Sequence, residues 1–351
     1  KAIEINPNYS SAHNNLGVIF KELKKYQKAK ECFEKAIEIN PNYTDAQNNL
    51  GTVFFELKEN QKAKDCYQKA IEINPNYADA HNNLGAIFNK LGEIEKAKGC
   101  YEKAIEINPN HIGAHNNLGN VFRLLTENQK AKECYEKAIE LDPNHTDTHY
   151  NLGNVFRLLT ENQKAKECYE KVIELNPNHV NAHYNIGIIF NKLGEIEKAK
   201  ECYQKAITIN PNYADAHYNL GNIFQEVGDL QKAKECYEKA ITINPNFEKA
   251  HNNLGNLIKE FGNDQKAKEC YEKVIEINPN HAGAYNNLGN IFQGLRDDQK
   301  AIDCYEKAIE INTDLFDTVA NIADLYVSRL TDFEIAISKS NEALKIYHKN
   351  Y

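Results

Sequence analysis

Three residue types recur in this 351-residue chain at one fixed interval of 34, and each could do chemistry. Nine cysteines, from Cys32 and Cys66 through to Cys304, could in principle pair, bind zinc or supply nucleophiles. Seven histidines, His13, His81, His115, His149, His183, His217 and His251, share a second register and invite comparison with a metal ladder. A third register holds only asparagine: Asn15, Asn49, Asn83, Asn117, Asn151, Asn185, Asn219, Asn253, Asn287 and Asn321. A primary amide carries one acceptor and two donors, matching a peptide backbone's own N–H and C=O. A regular row of amides could therefore grip an extended chain whatever its side chains.

The first two chemistries weaken on spacing. Each thiol stands alone in its unit, and equivalent helices of successive units are separated by an intervening helix. Packed helices sit about 8–10 Å apart, whereas a disulfide needs Cα atoms within about 7 Å. The short paired spacing of a zinc site is missing. The cysteines therefore read as small, half-buried core residues in a reducing compartment. The histidines are equally isolated, without local carboxylate or thiol partners, and read as packed, part-buried imidazoles. Neither a metal nor another cofactor is expected. No phosphate-cradling glycine loop, nucleophile elbow or His-Glu zinc helix occurs, so no catalytic residue and no enzymatic activity are expected.

The positioning elements follow from the interval itself. Prolines from Pro7 to Pro279 keep the same period as the cysteines. A period in the 20–50 range marks a solenoid or array, so a count of globular domains from length does not apply. Within Ser10–Tyr43, the apolar residues Ala12, Leu16, Ile19, Phe20 and Leu23 recur at helical spacing. Lys24-Lys25-Tyr26 breaks that face, and a second stripe follows at Ala29, Phe33, Ala36 and Ile37. Asn40-Pro41-Asn42 ends it, because proline restricts the residue before it and cannot continue a helix. Each unit is thus an antiparallel helix pair that must stack on its neighbours to bury its stripes. Leu or Ile followed by Gly recurs in each first helix, from Leu16-Gly17 to Leu288-Gly289, where glycine allows close approach between paired helices.

Nine units fill residues 10–315, residues 1–9 read as the tail of a preceding unit, and residues 316–351 as a degenerate cap. In that last segment Ala323 replaces the glycine, one extra residue precedes Ala336, and Pro and Cys vanish. With no methionine and a start inside a second helix, the chain is expected to be a stretch of a longer array. Two blocks are internal copies: residues 120–137 repeat as 154–171, and 87–98 repeat as 189–200.

Composition excludes further classes. Forty-two Lys plus Arg against 50 Asp plus Glu give a net charge of −8, so no basic nucleic-acid footprint is expected. No apolar run approaches the roughly 18 residues that span a bilayer, and no signal pattern opens the chain. A cytoplasmic protein without membrane contact is expected. Acceptor patterns such as Asn42-Tyr43-Thr44 and Asn144-His145-Thr146 read as turn chemistry.

The run Asn15-Leu16-Gly17, Phe20, Ala29, Phe33, Ala36 and Pro41 resembles the tetratricopeptide repeat signature, in nine in-register copies. The departure is that His mostly occupies the site of a bulky aromatic; Gln47, Tyr285 and Val319 stand there elsewhere. The resemblance implies an all-α, right-handed superhelical solenoid whose first helices line an inner, concave surface. It implies a protein-binding scaffold, with a protein or an extended peptide as partner. The asparagine row resembles the ladder in the tetratricopeptide superhelix of O-linked N-acetylglucosamine transferases, which holds substrate peptide backbone.

The register before the row varies: Asn in Asn14, Asn48, Asn82, Asn116, Asn252 and Asn286, but Tyr150, Tyr184, Tyr218 and Ala320 elsewhere. Compositional bias would not spare one register and vary its neighbour, so a peptide-binding ladder is expected; interhelical polar packing is the competing reading. Tyr150, Tyr184 and Tyr218, with Arg123 and Arg157 on nearby inner-face turns, are the residue types of interface hot spots and mark the expected anchor zone. Asp45, Asp79, Asp147 and Asp215 in the first turns suit the helix N-terminus, with Lys249 as the exception. Two alternatives stand beside the scaffold. One is the substrate-recruiting arm of a larger glycosyltransferase, and the other is a self-associating structural solenoid.

Overall fold

In the computed structural model, residue 3 and residues 6–312, 315–330 and 333–350 are described, and every regular element among them is helical. The segments read as a leading tail and a cap therefore lie partly outside the described residues. The chain forms two compact units, Lys1–Ala182 and His183–Tyr351.

Unit one opens with the pair Ser10–Glu22 and Tyr26–Ile39, which sets the pattern for its successors. First helices of 13 residues alternate with second helices of 14, down to Thr146–Leu158 and Asn162–Leu175. Unit two repeats the pattern through Ala282–Gly294 and Asp298–Ile311. It then ends on Phe316–Leu325, a π-helical turn at Tyr326–Leu330, and Phe333–Asn350. A π turn takes up one residue more than an α turn. The extra residue between Ala323 and Ala336 is absorbed there.

Two turns punctuate every repeat. Between paired helices the backbone passes through a left-handed residue, at Lys24, Lys58, Thr126, Thr160 and Arg296, and at Gly92, Gly194, Gly228 and Gly262. Lys25 N–H reaches back to the Phe20 carbonyl at 2.8 Å, and Lys24 N–H to that of Lys21 at 2.8 Å, closing a Schellman-type end. Between repeats, Asn40 is held extended ahead of Pro41, and its Oδ1 accepts the Asn42 N–H at 3.2 Å.

The core is built around one ring per repeat. Phe33, Tyr67, Tyr101 and Tyr135 in unit one are almost fully buried, as are Tyr237, Tyr271 and Tyr305 in unit two. Each ring lies on the glycine of its paired helix: a Cβ built on Gly51 would sit 2.6 Å from Tyr67 Cε1. The close approach that glycine permits is therefore to an aromatic ring of the second helix. Small residues such as Ala29, Ala36, Ala63 and Ala70, all fully buried, bring the helices together around it.

The second helices are rich in Glu and Lys, and part of that charge joins repeats. Phe88 lies between Lys64 of the preceding repeat, at 5.2 Å from its centroid, and Lys96 of its own, at 5.5 Å. Phe122 is straddled in the same way by Lys98 and Lys130. Each such contact adds about 0.5–1 kcal/mol at an exposed site.

Candidate functional site

The asparagine row lies on the first helices, and its amides are engaged in packing. In unit one, Asn49 Nδ2 donates to Asn14 Oδ1 at 3.1 Å, and Asn83 to Asn48 at 3.0 Å. Asn117 donates to Asn82 at 3.0 Å, and Asn151 to Asn116 at 3.3 Å. In unit two, Asn219 Nδ2 donates to the Tyr184 hydroxyl at 3.0 Å, and Asn253 to that of Tyr218 at 3.2 Å. Asn287 and Asn321 instead donate to Asn256 and Asn290, at 3.0 and 3.2 Å. Every one of these bonds joins a first helix to the first helix of the preceding repeat. Asn15 is exposed, whereas Asn185 is buried.

A second asparagine register, which the sequence reading missed, completes the arrangement. Tyr271 OH donates to Asn256 Oδ1 at 2.8 Å, and the same oxygen accepts from Asn287. Tyr305, Asn290 and Asn321 repeat this relay, as do Tyr237, Asn222 and Asn253. In unit one, Tyr135 donates to Asn120 at 2.8 Å and Tyr169 to Asn154 at 2.7 Å. Burial is the first cause that raises these phenols, Tyr135 and Tyr237 to about 12, so the hydroxyls stay protonated and act as donors. The sequence carries only part of this signal: Phe33 stands with Val18, but Tyr101 and Tyr203 stand with Ala86 and Ile188 in the same register.

The anchor residues are partly absorbed too. Tyr150 packs half-buried between Tyr169, at 5.9 Å between centroids, and His179, at 4.9 Å. In unit two, Tyr184 sits likewise between Tyr203 and Tyr213, and Tyr218 between Tyr237 and Phe247. Arg123 lies near enough to Tyr135, and Arg157 to Tyr169, for its charge to oppose the rise that burial causes in the phenol's pKa. Arg123 is exposed and Arg157 half-exposed.

The histidines act as turn staples. Nε2 of His13, His81, His115 and His149 lies 2.9–3.0 Å from the carbonyl oxygen of the proline six residues earlier. His217 and His251 do the same in unit two. Burial, ahead of its other causes, lowers the His217 pKa, which leaves the neutral ring to donate to Pro211. The aspartates do more than face a helix end. Asp45 accepts from the Tyr77 hydroxyl at 2.7 Å, and Asp79 lies 3.0 Å from His111 Nε2. Burial pushes the Cys66 and Cys168 thiols up to about 12, and Cys100 to about 11, which disfavours the nucleophilic thiolate. Cys270 lines an open groove of about 370 Å³ with Ile241, His251 and Leu254.

Tetratricopeptide repeat models match residues 10–43, 78–111, 113–145, 146–179, 214–247 and 247–314. Further matches cover 32–65, 51–92, 168–201 and 189–228, so together they take in 10–111 and 113–314. The chain belongs to the tetratricopeptide repeat family. It is an all-α repeat protein built as a protein-interaction scaffold.

Among solved structures, pilF of Pseudomonas aeruginosa is similar at 22% identity and TM-score 0.54, over 57% of this chain and 92% of its own. That likeness bears on the fold alone. YrrB, a tetratricopeptide protein with an unusual peptide-binding site, is similar at 29% identity over 53% of this chain and 96% of its own, with TM-score 0.48. MamA is similar at 28% identity over 46% of this chain and 95% of its own, with TM-score 0.43. No curated protein matches the chain. No helix among the described residues is long and apolar enough to cross a membrane.

Proposed function

We propose that this scaffold holds an extended peptide segment of a partner protein along its first-helix face, by hydrogen bonds to the peptide backbone from the asparagine row. The observation that carries this reading is what the packing leaves over. Each amide from Asn49 to Asn151 spends one donor on the preceding repeat, and that bond fixes its plane. Oδ1 of Asn49, Asn117 and Asn151, and in unit two of Asn219 and Asn287, accepts no hydrogen bond among the described residues. A carbonyl oxygen held in place at these five positions can accept a peptide N–H with little ordering cost. Residues 316–351 are read as the cap of the array.

Backbone capture has a distinctive test. Labelled peptides are titrated against the whole chain, with alanine scanned through the side chains and N-methyl groups scanned along the backbone. N-methylation should weaken binding at several positions, while most alanine changes have little effect. Asn117→Ala with Asn151→Ala should weaken every bound peptide. If the pair lowers the melting temperature yet leaves every dissociation constant unchanged, the row serves packing only.

A further inference from the structure

Repeats 4 and 5, residues 112–145 and 146–179, carry the same first-helix equipment twice. Asn120, Arg123, Leu124 and Tyr135 of the first correspond to Asn154, Arg157, Leu158 and Tyr169 of the second. The two first helices are neighbours within unit one, joined by the bond from Asn151 to Asn116. In each, the guanidinium charge stands beside a tyrosine whose hydroxyl already donates to Asn120 or Asn154.

Neither guanidinium has an ion-pair partner among the described residues. The acids of the following turn are already taken, Glu127 by Lys130 and Glu161 by Lys164. Beside each arginine stands a leucine turned to solvent, Leu124 at 54% and Leu158 at 53% exposure. In the leucine register, other repeats carry Glu22, Glu56, Lys90, Lys192, Glu226, Glu260 or Gly294. An unpaired cation next to an exposed leucine, repeated one step along a solenoid, complements an acidic and apolar ligand.

We propose that repeats 4 and 5 form a specificity site for an acidic extended peptide whose carboxylates pair with Arg123 and Arg157 while adjacent apolar side chains lie on Leu124 and Leu158. The proposal rests on the reading that the first-helix face holds an extended peptide. Neighbouring helices step by about 8–10 Å and an extended chain advances about 3.3 Å per residue, so the two acids stand about three residues apart. The ligand is therefore an Asp-or-Glu/Leu-like pair repeated every third residue.

The test uses the whole chain and three labelled peptides with two Asp-Leu, two Asn-Leu or two Lys-Leu pairs at that spacing, read by fluorescence anisotropy. The Asp peptide should bind about tenfold more tightly than the Asn peptide at low salt, as two part-exposed ion pairs would give. The Lys peptide should bind most weakly, and added salt should erase the Asp advantage. In the R123Q/R157Q variant the Asp advantage should fall below about twofold. Glutamine is native at this register: the side-chain amides of Gln225 and Gln293 lie 2.6 and 2.7 Å from the Tyr237 and Tyr305 hydroxyls, so the variant keeps a polar neighbour for the tyrosine and removes the charge.

Equal affinity for the Asp and Asn peptides, or an Asp advantage that survives R123Q/R157Q, overturns the proposal. The N117A/N151A variant separates it from backbone capture. If it weakens all peptides while wild type ignores their charge, backbone capture stands and this site falls. If it changes nothing while the Asp preference persists, the site stands and backbone capture falls. Failure of all three peptides to bind overturns both.

Discussion

The relay from Tyr271 through Asn256 to Asn287 makes a quantitative demand on the eighth repeat. Asn256→Val removes the shared acceptor and strands the Tyr271 hydroxyl, whose side chain is fully buried. An orphaned buried hydroxyl costs about 1–3 kcal/mol. Tyr271→Phe alone removes one donor and strands nothing, because Asn256 Oδ1 still accepts from Asn287 at 3.0 Å, and should cost about 1 kcal/mol. The double substitution reproduces the first repeat, where Phe33 stands with Val18. There the next asparagine, Asn49, donates instead to Asn14 at 3.1 Å, and Asn252 offers Asn287 the same alternative. The double variant should therefore be no less stable than Asn256→Val, with a coupling of about 1–2 kcal/mol. Repeat arrays open locally, so the assay is amide exchange of the helix Asp264–Ile277 beside the melting curve. Additive effects of the two changes, within about 0.3 kcal/mol, would refute the relay.

Three further outcomes follow from the packing. Gly51→Ala forces a methyl to within 2.6 Å of Tyr67 Cε1 and should destabilise by about 1–3 kcal/mol. Gly99→Ala, with nothing within 4 Å, should instead stabilise by about 0.5–1 kcal/mol, so thermal melts of the two should move in opposite directions. Thr126→Gly and Thr160→Gly relieve β-branched residues at φ 61° and 60°, and each should add up to about 1 kcal/mol in urea unfolding. The hydrogen bond from His111 holds the Asp79 pKa below its ordinary value, so its stabilising effect is present above about pH 4 and is lost as pH falls through the lower folded value. Asp79→Asn should lower the melting temperature slightly at pH 6, and that difference should vanish by about pH 2, since the carboxylate is largely exposed and worth under about 1 kcal/mol.

How much of this could be read beforehand depended on whether a residue acts through its own helix or across a turn. Gly17, Ala29 and Phe33 announce the helix pair because their spacing is helical and their sizes are constrained by one ring. The left-handed turn residue gives no such signal, since Lys24, Thr126 and Arg296 occupy it as well as Gly92. The histidine row was legible as packing, but not its acceptor, because a backbone carbonyl leaves no mark in a sequence. The ties of Asp45 to Tyr77 and of Asp79 to His111 span about one repeat and are hidden for the same reason. The lysines of the Lys-Ala-Lys triplets look solvated in one dimension, and only the stacking of repeats places them over Phe88 and Phe122.

The structure also changes what the asparagine row can be used to argue. Its regularity beside a variable neighbouring register looked like a demand imposed by a ligand. Yet each amide needs only some acceptor on the preceding repeat, and the fold supplies three kinds. These are the amides of Asn14, Asn48, Asn82 and Asn116, the hydroxyls of Tyr184 and Tyr218, and the second-register amides of Asn256 and Asn290. A donor is required and the acceptor is interchangeable, so packing alone accounts for one fixed register next to a varied one. Regularity therefore carries no weight for binding. What remains for binding is the opposite end of the same amide: an oxygen oriented by a bond the fold already makes. A ligand that meets it finds its ordering cost already met, which is why a packing residue is a sound place for a backbone grip.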